Sequence, residues 1–139
     1  MNQNLIFYPV IALVFLTFYV LLLLGYQRVT AVKNKTIDVK YFRTNSNYNC
    51  PEKLTLISQN FDNLLALPML FYVACTISYL SNNVILPLIF LAWIYVFARY
   101  LHSYIHIVNN RLKYRFSIFF FSTIVLIIFW LILSFKLIF

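Results

Sequence analysis

Three long stretches without a charged residue limit the folds that this chain can adopt: Leu5–Gly25, Leu64–Ala98 and Phe116–Phe135. A transmembrane helix needs about 20 consecutive apolar residues to cross the hydrocarbon layer of a bilayer. The first and last stretches each suit one helix, whereas the middle stretch is too long for one. Ser81-Asn82-Asn83 places turn-forming side chains inside the middle stretch, which favours two helices there. The sequence therefore predicts an all-α integral membrane four-helix bundle.

The composition excludes most soluble classes of protein. Of 139 residues, 63% are hydrophobic and only 10% are charged, whereas soluble chains average about 45–50% and 25%. The single glycine excludes the glycine-rich phosphate loops of nucleotide-binding proteins. Three acidic residues are too few for a calcium loop or a paired-carboxylate glycosidase. The two cysteines lie far apart and lack the C-x-x-C spacing of zinc ribbons.

The four spans form one domain over residues 1–139, with up-down topology. Their expected bounds are about 5–26, 54–80, 84–108 and 115–136. Pro51 and Pro87 suit the first turns of the second and third helices. A cleaved signal peptide would need Lys or Arg ahead of a shorter apolar core. Residues 1–4 contain neither, so we expect the first helix to remain in the mature chain.

Lysine and arginine are concentrated in two of the predicted connections. They are Arg28, Lys33, Lys35, Lys40, Arg43 and Lys53 in the first, and Arg111, Lys113 and Arg115 in the last. Short loops rich in Lys and Arg stay on the cytoplasmic side. We therefore expect a basic cytoplasmic loop at 27–53 and both termini on the non-cytoplasmic side, in a bacterial inner membrane or an organelle membrane. The net charge of +8 is also typical of nucleic-acid binding, but membrane topology accounts for it and we expect no nucleic-acid partner.

Several polar side chains fall inside the predicted spans, where such groups are costly and usually mark a site. On the third helix they recur at helical spacing and share one face of roughly 100°: Tyr95, Arg99, His102, Ser103, His106 and Asn110. On the second helix they occupy the first turns: Gln59, Asn60, Asp62 and Asn63. Arg28 ends the first helix and Arg115 opens the fourth at the same level. Four helices are thus expected to bring polar residues to the cytoplasmic end.

At this cytoplasmic end of the helices we predict a polar cavity that opens to the cytoplasm and is lined by Arg28, Arg99 and Arg115. Guanidinium groups bind carboxylates through two parallel hydrogen bonds, so the expected ligand is an anion. In a simpler interpretation, Arg28 and Arg115 only anchor helix ends and Arg99 alone is buried. Pro68, inside the second helix, predicts a kink and a free carbonyl near Leu64, close to the cavity floor.

Two other kinds of site are disfavoured by the sequence. His102 and His106 can share a helix face as metal ligands, but a third ligand is hard to find. We therefore expect no metal, and we assign these imidazoles to structural or ligand hydrogen bonds. A triad of Ser103, His106 and Asp62 is weaker still, because Ser103 and His106 share a helix and nothing supplies an oxyanion hole. Aromatic residues such as Phe119 are expected to face lipid or to pack.

Two segments resemble the MAPEG family, the membrane-associated proteins in eicosanoid and glutathione metabolism, and in particular its small bacterial branch. Segment 59–72, QNFDNLLALPMLFY, resembles the second-helix signature of the family. Segment 99–106, RYLHSYIH, followed by Asn110 and Arg115, is similar to its R-x-x-H-S-x-I-H…N…R pattern. The resemblance implies a homotrimer that holds glutathione near the cytoplasmic face. Helices two and three of one subunit and helix one of the next would bind it.

The resemblance also implies roles for individual residues. Arg28 would bind a glutathione carboxylate, Asn63 would hydrogen-bond the peptide, and Arg115 would be the catalytic residue that steadies the thiolate. The other residues that we assign to binding glutathione or another anion are Asn60, Arg99, His102 and His106. His102 and His106 take the places of a His and a Tyr in the prostaglandin synthase branch. A cation near sulfur favours the thiolate and lowers a thiol pKa from about 8.5.

The implied function is a glutathione-dependent transferase or peroxidase that uses a lipophilic electrophile from the bilayer. The alternatives are a non-catalytic protein of the same fold that binds an anionic ligand or lipid headgroup, and a small channel, transporter subunit or partner-binding membrane protein. Two departures bear on catalysis. The family usually has an acid where this chain has Ala66, and an arginine just upstream, where it has 56–59. Asp62 lies one turn before Ala66 and can replace the acid, but its direction around the helix axis differs by roughly 40° from that of Ala66.

Overall fold

The computed structural model describes residues 2–37 and 50–139. These residues form four α-helices: α1 Phe7–Lys33, α2 Glu52–Leu80, α3 Leu86–Tyr104 and α4 Leu112–Ile138. A short 3-10 turn, Gln3–Ile6, precedes α1, and a π-helical turn, Ile105–Asn109, continues α3. The described residues contain no strand. Lys40 and Arg43 of the predicted basic loop lie outside the described residues.

All four helices are long and apolar enough to cross a membrane, which confirms the prediction of an all-α fold with four candidate spans. Several helix boundaries differ from the expected bounds, and two of these differences have a clear physical reason. α1 continues to Lys33 because the apolar run marks only the part inside the hydrocarbon layer, and the helix extends beyond it. α3 begins at Leu86 because Ile85 is extended and Pro87 stands in the first turn, where a missing N–H costs nothing.

The helices form a bundle in which α1 and α4 each pack against both α2 and α3. Apolar side chains fill the centre. Phe71 of α2 stacks on Tyr95 of α3 with ring centroids 4.8 Å apart, and Phe129 of α4 meets Phe71 edge-on at 6.3 Å. The outer faces carry large exposed apolar side chains such as Phe15 and Phe97. This arrangement suits lipid contact on the outside and van der Waals packing within.

Contacts at the two ends of the bundle establish the up-down course of the chain. At one end, the N–H of Val84 donates to Oε1 of Gln3 at 3.0 Å, so the start of the chain lies beside the α2–α3 turn. At the other end, Ser103 of α3 bonds to Asn60 of α2, and His102 bonds to the first turns of α4. The beginning of α2, the end of α3 and the beginning of α4 therefore meet at one end, which we call the polar end.

Candidate functional site

A group of buried polar side chains lies at the polar end of the bundle. We call it the polar cluster and define it as Asn60, Arg99, His102, Ser103 and His106. Asn60 and Arg99 are completely buried, and the other three are at most 2% exposed. The α3 members follow helical spacing, which places them on one face, and that face is turned towards the bundle.

Arg99 is a buried cation whose hydrogen-bonding capacity is only partly used. Its Nη2 donates to the backbone oxygen of Asn63 at 2.7 Å. Its guanidinium carbon lies 5.6 Å from the centroid of the Phe119 ring, a cation–π contact. Within the described residues, Nε and Nη1 have no hydrogen-bond acceptor. A buried charge of this kind is costly unless a partner compensates it.

The carbonyl that Arg99 uses belongs to the turn of α2 that precedes its internal proline. Pro68 stands inside the helix and is buried. It has no N–H to donate to Leu64, four residues earlier, so the helix loses one internal hydrogen bond there. The acceptor for Arg99 is the carbonyl of Asn63. Asn63 directly precedes Leu64, whose carbonyl lacks its usual helical donor because of the proline.

The two histidines of the polar cluster present unused nitrogen atoms. Nδ1 of His102 lies 3.2 Å from the backbone oxygen of Arg115. A carbonyl only accepts, so Nδ1 carries a proton, and in the neutral form of this ring Nε2 is an acceptor. In the part of the chain that is described, His102 Nε2 and His106 Nδ1 are both buried without a partner. Their rings lie 5.6 Å apart, and no group of three His, Cys, Asp or Glu side chains suited to a metal occurs among the described residues.

Ser103 connects the polar cluster to the membrane-facing surface. Its Oγ donates to Oδ1 of Asn60 at 3.2 Å and so ties α3 to α2. Ser103 also lines a groove of about 430 Å³ between α1 and α3, which falls within the usual size range of ligand pockets. Leu16, Val20 and Tyr104 are among its walls. A molecule in this groove would therefore lie against apolar side chains and reach one member of the cluster.

Arg115 lies at the edge of the cluster and is half-buried. Its Nη1 donates to Oδ1 of Asn110 at 3.1 Å, and its backbone oxygen accepts the bond from His102. The cluster and its border thus combine two arginines, two imidazoles and amide groups inside an apolar bundle. Such a set of groups can bind an anion and stabilise negative charge.

The sequence model that describes the MAPEG family matches residues 6–135 of the 139-residue chain. This chain belongs to the MAPEG family. The family includes glutathione transferases and related membrane proteins. Family membership and the four apolar helices together identify it as an integral membrane protein. No curated protein and no solved structure matches the chain.

The structure of this MAPEG protein brings most of the predicted site residues together. Arg99, His102, His106 and Asn60 form the polar cluster with Ser103, and two further residues border it. Asn63 is half-buried and contributes its carbonyl, and Arg115 lies beside His102. The ligand roles assigned to these residues stay predictions.

Other polar positions of this MAPEG protein lie outside the cluster. Arg28 occupies an exposed position on α1. Gln59, Asp62 and Ala66 are all exposed on α2, because they share the side of that helix opposite to Asn60 and Leu64. Asp62 therefore does not enter the buried group around Arg99.

Phe119 acquires a role that the sequence did not assign to it. It is in contact with the cluster, since its ring centroid lies 5.6 Å from that of His102 as well as from the Arg99 guanidinium. Phe119 is one turn after Arg115 on α4, so the two share a helix face. That spacing was a usable signal in the sequence.

Proposed function

We propose that this MAPEG protein is a glutathione-dependent transferase or peroxidase that activates the thiol at the cytoplasmic side of the membrane. The observation that carries the proposal is Arg99, a completely buried cation with two donor nitrogen atoms, Nε and Nη1, that have no acceptor among the described residues. The effective cost of burying an ion is several kcal/mol. An anionic ligand would supply both the missing charge and the missing acceptors.

Glutathione suits the donors and acceptors of the polar cluster. Its carboxylates would accept from Arg99 and from Nδ2 of Asn60, which is buried without a partner among the described residues. Its N–H groups would donate to the free nitrogen atoms of His102 and His106. In the proposed homotrimer, Arg28 would reach the ligand of a neighbouring subunit, because its exposed position on α1 leaves it outside its own cluster.

Arg115 would act on the sulfur atom. It is half-buried, so its charge is screened less by water than that of a fully exposed arginine. A guanidinium beside the sulfur favours the thiolate over the thiol and lowers the thiol pKa from about 8.5. In the transferase reaction, the thiolate forms a bond to carbon of the electrophile and the leaving group departs with the electron pair. The lipophilic electrophile would approach through the α1–α3 groove, which Ser103 helps to line.

A second candidate function is binding of an anionic ligand or lipid headgroup without catalysis. The positions of the acidic side chains favour this function, because Glu52 and Asp62, the two acids among the described residues, are both exposed. The ammonium group of glutathione then has no carboxylate partner within the polar cluster. Orientation by such a partner contributes to rate because reacting atoms must be held in a narrow geometry. A scaffold can keep its ligand and lose its chemistry.

For both functions we propose the same placement in the membrane. Lys33, Lys53 and Lys113 would face the cytoplasm, and both termini would lie on the opposite side of a bacterial inner membrane or an organelle membrane.

The two functions are separated by glutathione binding and turnover measured on the same purified protein in lipid nanodiscs. Calorimetry reports glutathione binding, and a chromogenic electrophile reports conjugation. We expect the parent to do both and Arg115→Ala to lose about 10²–10³-fold in kcat, the usual effect of removing one electrostatic stabiliser of the reacting charge. The matched control is Arg111→Ala, an exposed arginine four residues before Arg115, which we expect to keep the parent rate.

Each remaining outcome has a definite meaning. Glutathione binding without turnover by the parent would favour the non-catalytic function. An Arg115→Ala variant as active as the parent would remove the thiolate role of Arg115. A parent that binds no glutathione would contradict the proposal as a whole.

A further inference from the structure

Asn110 holds an uncommon backbone conformation between α3 and α4. Its φ and ψ are 44° and 25°, in the left-handed region. Its N–H donates to the backbone oxygen of Ile105 at 2.8 Å and closes the π-helical turn. Most L-residues are strained there by about 1–2 kcal/mol, whereas Gly, Asn and Asp adopt it readily. The backbone alone therefore restricts position 110 to a few residue types.

The side chain of Asn110 contacts the arginine to which we assign the thiolate. Its Oδ1 accepts a hydrogen bond from Nη1 of Arg115 at 3.1 Å. At the other end of the same residue, the backbone oxygen of Arg115 accepts from His102 at 3.2 Å. Arg115 is thus held at its main chain by α3 and at its guanidinium by the connection that follows α3.

The chemistry of the acceptor matters as much as its position. A guanidinium has five N–H donors, so a single bond to an amide oxygen restricts its direction and leaves the others for a ligand. An amide is also neutral and leaves the positive charge of Arg115 uncompensated. An aspartate in the same place would form an ion pair with Arg115 and compete with an anionic ligand. Glycine would keep the backbone and provide no acceptor.

We propose that Asn110 is a positioning residue that directs the Arg115 guanidinium towards the sulfur of the ligand while leaving its charge unpaired. This inference rests on the proposed function, in which Arg115 steadies a thiolate. Asparagine meets both requirements at position 110, since it tolerates the left-handed backbone and provides a neutral acceptor.

The test compares Asn110→Gly and Asn110→Asp with the parent in nanodiscs. The pKa of bound glutathione is measured from the ultraviolet absorbance of its thiolate during a pH titration, and kcat and KM are measured alongside. For Asn110→Gly we expect a thiol pKa raised by about one unit, a lower kcat at neutral pH and a nearly unchanged KM for glutathione. For Asn110→Asp we expect a larger rise, because the new carboxylate compensates Arg115. The control is Asn109→Gly, an exposed neighbour, for which we expect the parent thiol pKa.

The outcomes distinguish this inference from the proposed function. A parent with a lowered thiol pKa and an Asn110→Gly variant with the same value would overturn the positioning role alone. If Asn110→Gly does not fold, Asn110→Asp decides, and a thiol pKa equal to that of the parent would overturn the role in the same way. A parent that binds glutathione without lowering its thiol pKa would contradict the proposed function and the positioning role with it.

Discussion

Replacing Arg99 with methionine is expected to stabilise this protein while abolishing its anion binding. The substitution removes one hydrogen bond to a charged group, about 1.5–3 kcal/mol, and one cation–π contact, about 0.5–2 kcal/mol. It also removes two buried donor nitrogen atoms, Nε and Nη1, that have no acceptor among the described residues, and an unsatisfied buried group costs about 1–3 kcal/mol. These favourable and unfavourable contributions are of similar size. The cost of burying the charge itself, several kcal/mol, therefore decides the sign of the change in stability.

We therefore expect the free energy of unfolding of Arg99→Met to rise by about 1–4 kcal/mol, the range seen when buried ionic groups are replaced by apolar ones. Methionine has a flexible, unbranched side chain that can fill the space beside Phe119. The Asn63 carbonyl is not left without a donor, because the N–H of Leu67 lies one turn later in the same helix.

The assay is equilibrium unfolding in mixed detergent micelles, followed by circular dichroism, with glutathione binding measured on the same samples. Arg111→Met is the matched control, because Arg111 is exposed and its replacement should leave unfolding unchanged. Arg99→Met should require more denaturing detergent than the parent to unfold, and it should bind no glutathione. A variant less stable than the parent by more than about 1 kcal/mol would refute the reasoning, since it would mean that the guanidinium is compensated in the assembled protein.

Two further predictions concern hydrogen bonds between helices, measured by the same unfolding assay. Ser103→Ala removes the donor to Oδ1 of completely buried Asn60 and should cost about 1–3 kcal/mol, because a buried acceptor is left unpaired; an unchanged stability would show that Asn60 finds another donor. Tyr100→Phe removes the bond from the Tyr100 hydroxyl to the carbonyl of Ala12 at 2.7 Å and should cost about 0.6 kcal/mol, the average for such bonds in membranes. Tyr104→Phe is its control, because Tyr104 is 59% exposed, and an equal loss in both variants would contradict a specific α1–α3 bond.

The fold class of this MAPEG protein could be predicted from the sequence because the signal is local. Bilayer thickness sets the length of an apolar run, and Ser81-Asn82-Asn83 divides the middle run whatever the helices pack against. The polar face of α3 was predictable for the same reason, since the spacing of Arg99, His102 and His106 follows from helix geometry alone.

The pairing of side chains was decided only by the tertiary structure. Four of the five residues 59–63 of α2 are polar, and their spacing does not say which side faces the bundle. Packing turned Asn60 inward and left Asp62 exposed. The acceptor for Arg99 is the backbone carbonyl of Asn63, and the Phe119 ring contacts its guanidinium. These contacts join residues distant in sequence, so they depend on how the helices cross and rotate against one another, which no local pattern encodes.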